Sequence, residues 1–317
     1  MEIREISVGE MKPEQEGALP LFVTDFWAGF APEGYKRLGV FSGKNADDLV
    51  SVFALFNYQK LGKRILISPP LTPHCGLAFF QQPSKKYTLQ TAQKRVLRQI
   101  CEYLKKTYPK DHIDIAFPPE LKDVQPFQQE GFKIKISYTY LIGLHGSDEE
   151  MIFKAMSSER RKNIRHALST SLTTRLNPPL ESVLNLIDTT LSEQGVATHL
   201  ETLRGLLCAD SDRVFSIGVY DGDQLMATTI VGMDARCAYY LAGGTLKTGT
   251  AAGPLSLWQG IKESKKRGAA QFDFLGSSVP SIERYFRAFG GELTPYFRIR
   301  RNTALVDFLK STKERFH

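Results

Sequence analysis

The chain has 317 residues, of which 42% are hydrophobic and 24% are charged. This composition excludes a disordered or fibrous protein and is sufficient for two folded domains of about 150 residues each. The formal net charge of +7 favours polyanionic partners such as nucleic acid, an anionic membrane face or a phosphorylated substrate, although it is also explained by solubility alone.

The sequence contains no signal of secretion or of a membrane span. Residues 1–6 carry acids and no apolar core of a signal peptide, and the most apolar stretch, 49–58, is too short to cross a bilayer. The cysteines lie too far apart for a disulfide framework or a zinc site; they are Cys75, Cys101, Cys208 and Cys237. We therefore expect a soluble, reduced, cytoplasmic protein without a metal site.

In the N-terminal half, alternating apolar residues predict strands and a helical period predicts helices. The predicted strands cover 35–41, 49–58, 63–67, 113–117 and 133–144, and the predicted helices cover 87–107 and 122–130.

The C-terminal half gives a clearer pattern of the same kind. The predicted strands are 171–176, 213–220, 224–233, 236–242, 270–274 and 292–301, and the predicted helices are 180–193, 199–208, 252–267 and 280–289. Their order, β-α-α-β-β-β-α-β-α-β, is similar to that of the acetyltransferase-type (GNAT) fold.

The two halves look like copies of one α/β unit. Counting from an aspartate in a short apolar strand, each half has a phenylalanine at the thirteenth residue and a glycine at the seventeenth. The pairs are Asp114 and Asp273, Phe127 and Phe286, and Gly131 and Gly290. We predict an α/β (α+β) protein of two tandem GNAT-like domains, 1–147 and 148–317, each a mixed, mostly antiparallel sheet flanked by helices. A last helix at 303–317 is a candidate to pack on the first domain.

A basic helix is predicted just after the domain junction. One side of it forms an apolar stripe, Ile152, Met156, Ile164 and Leu168. Arg161 and Arg165 lie four residues apart along its margin, and two guanidiniums at that spacing suit a phosphate or pyrophosphate. A solvated basic face paired with acids elsewhere is the alternative.

A glycine-rich loop over 242–254 joins a predicted strand to a helix. Its glycines would let backbone N–H groups approach a phosphate. Acetyltransferases bind the coenzyme A pyrophosphate here with the pattern Q/R-x-x-G-x-G/A, and the best match, Leu246-x-x-Gly249-x-Ala251, has leucine in place of the polar residue. The loop either binds a donor or only turns the chain. The candidate donor-binding residues are Tyr240, Gly243, Gly244, Lys247, Gly249, Ala251 and Gly253.

Asp273, in its short strand, is the candidate catalytic residue, because a carboxylate there could accept a proton from an attacking ammonium. Asp114 at the equivalent place of the first half favours a capping role instead. His74 and Cys75 are adjacent on an irregular segment, where side chains seldom meet as base and nucleophile, so a loop that lines a pocket is the better interpretation.

Four segments resemble the Fem family of peptidoglycan-bridge aminoacyltransferases. The first is similar to the basic helix that opens the second domain of Fem proteins and reads Ser158-Glu159-Arg160-Arg161-Lys162-Asn163-Ile164-Arg165-His166-Ala167. The others are similar to the donor-side core of that family and read Tyr239-Tyr240-Leu241-Ala242-Gly243-Gly244, Leu255-Ser256-Leu257-Trp258 and Phe272-Asp273-Phe274-Leu275-Gly276-Ser277. The resemblance is clearest over about residues 150–300. It implies tandem acetyltransferase-like domains that move an amino acid from aminoacyl-tRNA to an amine of a peptidoglycan precursor.

The resemblance also implies roles for residues. Arg161 and Arg165 would hold the pyrophosphate of the precursor in a cleft between the domains, the glycine-rich loop would lie beside the donor, and Asp273 would handle a proton. The candidate substrate-binding residues are Arg161, Asn163, Arg165, Arg284, Tyr285 and Arg287. The long helical arm of some Fem proteins is not predicted here.

We predict an acyltransferase that moves an aminoacyl or acyl group onto an amine without a covalent enzyme intermediate. Its co-substrate is aminoacyl-tRNA or acetyl-CoA, it has no covalently bound cofactor, and its partners are a phosphate-bearing cell-wall precursor or another amine acceptor, with tRNA and peripheral membrane contact left open. The alternatives are a coenzyme A-dependent N-acetyltransferase of a small or carbohydrate-linked amine, and a binding protein that kept the fold without the reaction, which Leu246 motivates.

Overall fold

A computed structural model of the protein describes residues 1–43, 48–60, 62–80, 85–193, 198–248, 251–276 and 279–302. The chain forms two compact units. Unit 1 comprises Met1–Ser137 together with the described residues 295–302, and unit 2 comprises Tyr138–Thr294. The units are defined by packing, and the domain bounds 1–147 and 148–317 stay a prediction. The helix predicted at 303–317 lies outside the described residues.

Unit 1 begins with short elements and continues with a sheet and one long helix. Its strands are β1 (Glu2–Glu5), β2 (Tyr35–Ser42), β3 (Asp48–Lys60), β4 (Lys63–Ile67), β5 (Ala78–Phe79) and β6 (His112–Ala116). Its helices are α1 (Pro13–Glu16), α2 (Asp25–Ala28), α3 (Lys86–Thr107) and α4 (Gln125–Gln129).

The chain enters unit 2 along β7 (Lys133–Gly143) and leaves it along β13 (Glu292–Arg301). The strands between them are β8 (Thr173–Leu176), β9 (Val214–Asp221), β10 (Gln224–Met233), β11 (Cys237–Thr245) and β12 (Gln271–Asp273). The helices are α5 (Glu149–Ala155), α6 (Ser158–Leu168), α7 (Leu180–Glu193), α8 (Leu200–Ala209), α9 (Ala252–Lys266) and α10 (Pro280–Arg287).

Each unit has one parallel pair of strands in an otherwise antiparallel sheet. In unit 1 the order is β1-β2-β3-β4-β6 followed by the last residues of β13, and β4 and β6 are the parallel pair. In unit 2 the end of β7 pairs with β12, followed by β11-β10-β9-β8, and β11 and β12 are the parallel pair. The predicted fold class, a mixed and mostly antiparallel sheet flanked by helices in each of two tandem units, is confirmed.

The helices pack on the sheets through apolar faces. Helix α3 buries one side at helical spacing, with Val96, Leu97, Ile100, Cys101 and Leu104. Helix α9 is more fully enclosed, and its Gly260 lies against Val231 and Thr229 of β10. In the described part of the chain, no helix is both long enough and apolar enough to cross a membrane.

The basic helix predicted after the junction is in fact two helices, α5 and α6. Backbone at Met156 is extended, and the Ser157 side chain caps α6 by accepting a hydrogen bond from the Arg160 N–H at 3.1 Å. Ile164 is buried as predicted, but Leu168 is 57% exposed. The next buried residue after Ile164 is Ala167 instead. With 3.6 residues per turn, residues three apart and residues four apart both lie on the same face of a helix.

Arg37 on β2 is a buried cation with its counter-charges beside it. Its side chain is 1% exposed, and Nη2 lies 2.5 Å from Asp25 Oδ1, while Nη1 lies 3.9 Å from Glu16 Oε2. The same guanidinium donates to the carbonyl oxygens of Ser7 at 2.6 Å and Val23 at 3.2 Å. This cluster fixes the short N-terminal helices on the sheet of unit 1.

Candidate functional site

The parallel strands of each unit end their pairing at an aspartate. In unit 2 the last paired residues of β11 and β12 are Tyr239 and Asp273. In unit 1 the last paired residues of β4 and β6 are Ile67 and Asp114. The two aspartates therefore hold the same register position in their sheets, and the units differ in the path that the chain takes beyond it.

In unit 2 the parallel strands separate after this point. Strand β11 runs on to Thr245 beside β10, whereas the chain after Asp273 stays with β7, because Phe274 N–H donates to the Tyr140 carbonyl at 3.2 Å. Beyond Tyr239, no described residue of β12 pairs with β11. The gap between residues 240–245 and residues 274–276 is called the donor slot, after the role proposed for it below.

Asp273 fixes the turn that opens the slot. Its Oδ1 accepts hydrogen bonds from Leu275 N–H at 2.7 Å and from Thr139 Oγ1 at 2.5 Å, and its side chain is buried. Leu275 and Gly276 have left-handed backbone, with φ of 61° and 71°. A Cβ at Gly276 would clash with the Tyr138 carbonyl oxygen, so the turn requires glycine there.

In unit 1 the equivalent position is filled by the chain itself. After β4 the chain makes a detour through residues 68–74, and Cys75 then bridges the neighbouring strands. Its N–H donates to the Ala116 carbonyl at 2.8 Å, and its carbonyl accepts from Ala54 N–H at 2.7 Å. The Ser68 hydroxyl oxygen accepts from Ala116 N–H at 3.0 Å. In unit 1 the Cys75 segment thus fills the gap between neighbouring strands, and in unit 2 no described residue fills the equivalent gap between β11 and the chain after Asp273.

His74 and Cys75, in the segment that fills the gap in unit 1, are buried. Their exposures are 4% and 0%. Burial lowers the pKa of His74 to about 3 and raises that of Cys75 to about 12. Since His74 Nδ1 accepts from Gly76 N–H at 3.2 Å, the two side chains do not form a nucleophile and its base.

Iodoacetamide at about pH 8 is expected to alkylate Cys208 and to spare Cys75 in the native protein, because only the thiolate reacts and the raised pKa keeps Cys75 protonated. Cys208 is exposed. Peptide mass spectrometry measures both labels, and labelling in guanidinium chloride is the control. Rapid native labelling of Cys75 would show that the closed segment of unit 1 opens in solution.

A bulge shapes the wall of the donor slot. Ile230 pairs with Ala242 and Val231 with Tyr240, so Leu241 is an extra residue in β11. The bulge puts Tyr240 and Gly243 on the same face, where a Cβ at Gly243 would clash with the Tyr240 hydroxyl. The Tyr240 ring packs edge-on against Phe286 at 5.3 Å.

The Tyr240 hydroxyl is available to donate a hydrogen bond. It forms no hydrogen bond with the described residues, and burial raises its pKa well above the ordinary value. It is therefore protonated at neutral pH and can donate to a bound group.

The other candidate donor residues serve packing or surface contacts. A Cβ at Gly244 would lie 2.8 Å from the Leu186 carbonyl, which shows how closely α7 crosses β11. Gly253 is buried in the first turn of α9, whose N-cap position is Ala251. Lys247 is exposed and lies 3.1 Å from Glu193. Gly249 lies outside the described residues.

The candidate phosphate-binding arginines are not equivalent. Arg161 Nη1 donates to the carbonyls of Lys154 and Met156, each at 2.7 Å, and so caps the end of α5. Arg165 is exposed, and its guanidinium lies 5.3 Å from the centre of the Phe153 ring.

On α10 the two arginines are exposed. Arg287 lies 3.2 Å from Glu283, which also accepts from the Tyr140 hydroxyl at 2.5 Å. Arg284 has no ion pair with a described residue. Tyr285, between them, is half-buried.

Several solved structures superpose on 90% or more of the chain. The structure of FemX superposes with a TM-score of 0.68 over 97% of this chain and 99% of FemX, at 14% sequence identity. The chain has the FemX fold. The resemblance drawn from the sequence is thereby confirmed at the level of the fold.

Two further structures share the FemX fold. The C-terminal domain assigned to a lysylphosphatidylglycerol synthetase of Agrobacterium fabrum gives a TM-score of 0.59 at 9% identity over 90% of each chain. L-PGS of Bacillus licheniformis gives 0.52 at 12% identity over 92% of each chain. No protein-family model and no curated protein match the sequence.

Two residues of this fold, Thr139 and Arg160, were not predicted from the sequence. Thr139 lies on β7, far along the chain from Asp273, whose carboxylate it contacts. Arg160 was passed over for its neighbour Arg161, although it stands four residues from both Met156 and Ile164. An arginine at a position of the apolar stripe was the signal that could have found it.

Proposed function

We propose that the protein is an acyltransferase that moves an aminoacyl or acyl group onto an amine, with the donor in the slot of unit 2. The observation that carries this proposal is the difference between the units. The Cys75 segment closes unit 1 at the position where the chain after Asp273 leaves β11 in unit 2. The FemX fold and the similarity to a domain assigned to lysylphosphatidylglycerol synthesis support it.

The opened strand explains how a donor would be held. Backbone N–H and C=O groups of β11 beyond Tyr239 have no strand partner on the β12 side among the described residues. An extended donor can hydrogen-bond to them as an added strand would. Backbone N–H groups that face the reacting carbonyl would stabilise its developing negative charge.

The reaction we propose is direct attack by the acceptor amine. The neutral amine nitrogen forms a bond to the donor carbonyl carbon, and the bond from that carbon to the carrier oxygen or sulfur breaks. The attacking nitrogen gives one proton to a base or water, and the departing oxygen or sulfur takes up a proton in turn. The Tyr240 hydroxyl would donate a hydrogen bond to the departing atom or to the carbonyl. The donor is aminoacyl-tRNA or acetyl-CoA.

For the acceptor, we propose the amine of a phosphate-bearing cell-wall precursor, as the Fem resemblance implies. Arg165 and Arg284 are exposed and suited to contact its phosphates. Asn163, Tyr285 and Arg287 complete the proposed acceptor side, while Arg161 acts through its cap on α5. A coenzyme A-dependent N-acetyltransferase is the second candidate, supported by the glycine spacing before α9.

Blocking the slot tests the proposal. In Gly243→Val the new side chain would overlap the Tyr240 hydroxyl and force the ring from its place at the slot, so donor binding is expected to weaken by about tenfold or more. The matched control is Gly143→Val on β7 of the same unit, where an added Cβ meets nothing within 4 Å.

Binding is measured by calorimetry with acetyl-CoA and by filter binding with aminoacyl-tRNA, and turnover by mass spectrometry of the acceptor. Affinity for charged tRNA without affinity for acetyl-CoA would select aminoacyl transfer. Equal binding by both valine variants would contradict the placement of the donor, and folded protein that binds a donor but never transfers it would support the binding-protein alternative.

A further inference from the structure

Arg160 is the buried cation of unit 2, as Arg37 is of unit 1. Its side chain lies in the apolar stripe of α6, and the residue is 8% exposed. The guanidinium carbon lies 4.4 Å from the centre of the Tyr285 ring and 4.6 Å from that of Phe289. Since the two ring centres are 5.5 Å apart, the rings lie next to each other around the guanidinium and not on its opposite faces.

The N–H groups of the Arg160 guanidinium form few hydrogen bonds with the described residues. Nη2 donates to the Tyr285 carbonyl at 3.3 Å, and Nε has no hydrogen-bond partner in the described part of the chain. Aromatic faces attract the charge but accept little from its N–H donors. Burial lowers the pKa of the Arg160 guanidinium, and the neighbouring Glu159 carboxylate acts in the opposite direction.

Arg37 is a buried guanidinium with a structural role, and it is paired with carboxylates. It lies beside Asp25 and Glu16. Arg160 has no carboxylate within ion-pair distance among the described residues, and its chain neighbour Glu159 is exposed to solvent. Since buried charges are retained when they are paired and the described residues supply no ion pair to Arg160, we expect a ligand anion as its counter-charge.

Two neutral donors accompany Arg160. Asn163 follows it by three residues, which places both side chains on adjacent positions of one face of α6. Asn163 is half-buried, and its amide forms no hydrogen bond with the described residues. The Tyr285 hydroxyl likewise has no partner in the described part of the chain, and burial raises its pKa to about 12, so that it remains a donor at neutral pH.

We propose that Arg160 anchors a binding site of unit 2 for an oxyanion, a carboxylate or phosphate group of a small ligand, with Asn163 and Tyr285 as neutral donors. A planar guanidinium binds such a group through two parallel hydrogen bonds. The site differs from the donor slot but shares Asn163 and Tyr285 with the proposed acceptor side, so the inference rests on the proposed function. Its occupancy is measured without turnover, so a failure of anion binding is distinguishable from a failure of acyl transfer.

Calorimetry of the full-length protein with inorganic pyrophosphate, inorganic phosphate and acetate tests the site. Arg160→Met is expected to weaken the binding of the preferred anion by about tenfold to a hundredfold, because it removes charge-assisted hydrogen bonds. Lys162→Met, which removes the same charge from an exposed position of α6, is expected to stay within about twofold of the unaltered protein. The preferred anion identifies the ligand group as phosphate or carboxylate.

Thermal unfolding supplies a second readout. Arg160→Met is expected to unfold at the same or a higher temperature than the unaltered protein, since a hydrophobic side chain replaces an uncompensated charge. The preferred anion is expected to raise the midpoint of the unaltered protein and not that of the variant. The proposal is overturned if no anion binds, if Arg160→Met binds as the unaltered protein does, or if Arg160→Met and Lys162→Met weaken binding equally.

Discussion

Asp273→Ala is expected to destabilise the protein and abolish transfer, whereas Asp273→Asn is expected to retain most of both. Alanine leaves the Thr139 hydroxyl and the Leu275 N–H without their acceptor, and buried orphaned donors of this kind cost about 2–5 kcal/mol in total. The amide oxygen of asparagine can still accept from both. Urea unfolding measures the stability of both variants.

The asparagine variant separates two roles of Asp273. If the carboxylate positions the turn at Leu275, transfer by Asp273→Asn stays within about tenfold and its pH profile is unchanged. If Asp273 is the general base, transfer falls by about a hundredfold or more at an unchanged unfolding midpoint. We expect the first result, because both contacts of Oδ1 hold the protein and not a ligand.

Arg37→Met is expected to reduce the free energy of unfolding of unit 1 by about 3 kcal/mol, since removal of one partner leaves buried charge uncompensated. Methionine fills similar space but leaves Asp25 and Glu16 facing each other without the cation. Trp27 of unit 1 and Trp258 of unit 2 are the only two tryptophans, so Trp27 fluorescence in a Trp258→Phe background reports on unit 1.

Arg4→Met is the control for this prediction. Arg4 pairs with Glu10, but its side chain is 45% exposed, so its loss is expected to cost under about 1 kcal/mol. A loss below about 1 kcal/mol for Arg37→Met as well would show that Asp25 and Glu16 are neutralised by solvent or protons once the arginine is gone.

Much of the fold was predictable because most elements are long enough to show a period. The strands 63–67, 224–233 and 292–301 and the helix 180–193 were predicted to the residue. The elements β1, α1, α2 and β5 were missed, since two to four residues do not establish a period. The break between α5 and α6 was missed because Ser157, its cap, lies within a continuous helical pattern.

The candidate site was harder to predict than the fold. The sequence pointed to Asp273 and the glycine-rich loop by spacing, but the contacts of Asp273 depend on Thr139, which is 134 residues away. The difference between an open and a closed unit depends on the path of residues 68–77 between strands, which has no local sequence signature. Whether a guanidinium is paired, as for Arg37, or unpaired, as for Arg160, depends on tertiary packing alone.

The route of the chain also bears on how the protein is made. Strand β13 completes the sheet of unit 1 through Arg298–Arg301 opposite β6, yet these residues leave the ribosome only after all of unit 2. Residues 1–137 of unit 1 therefore wait with an unsatisfied sheet edge at β6 while the whole of unit 2 is synthesised. A nascent chain that stalls before residue 298 would expose this edge to other chains.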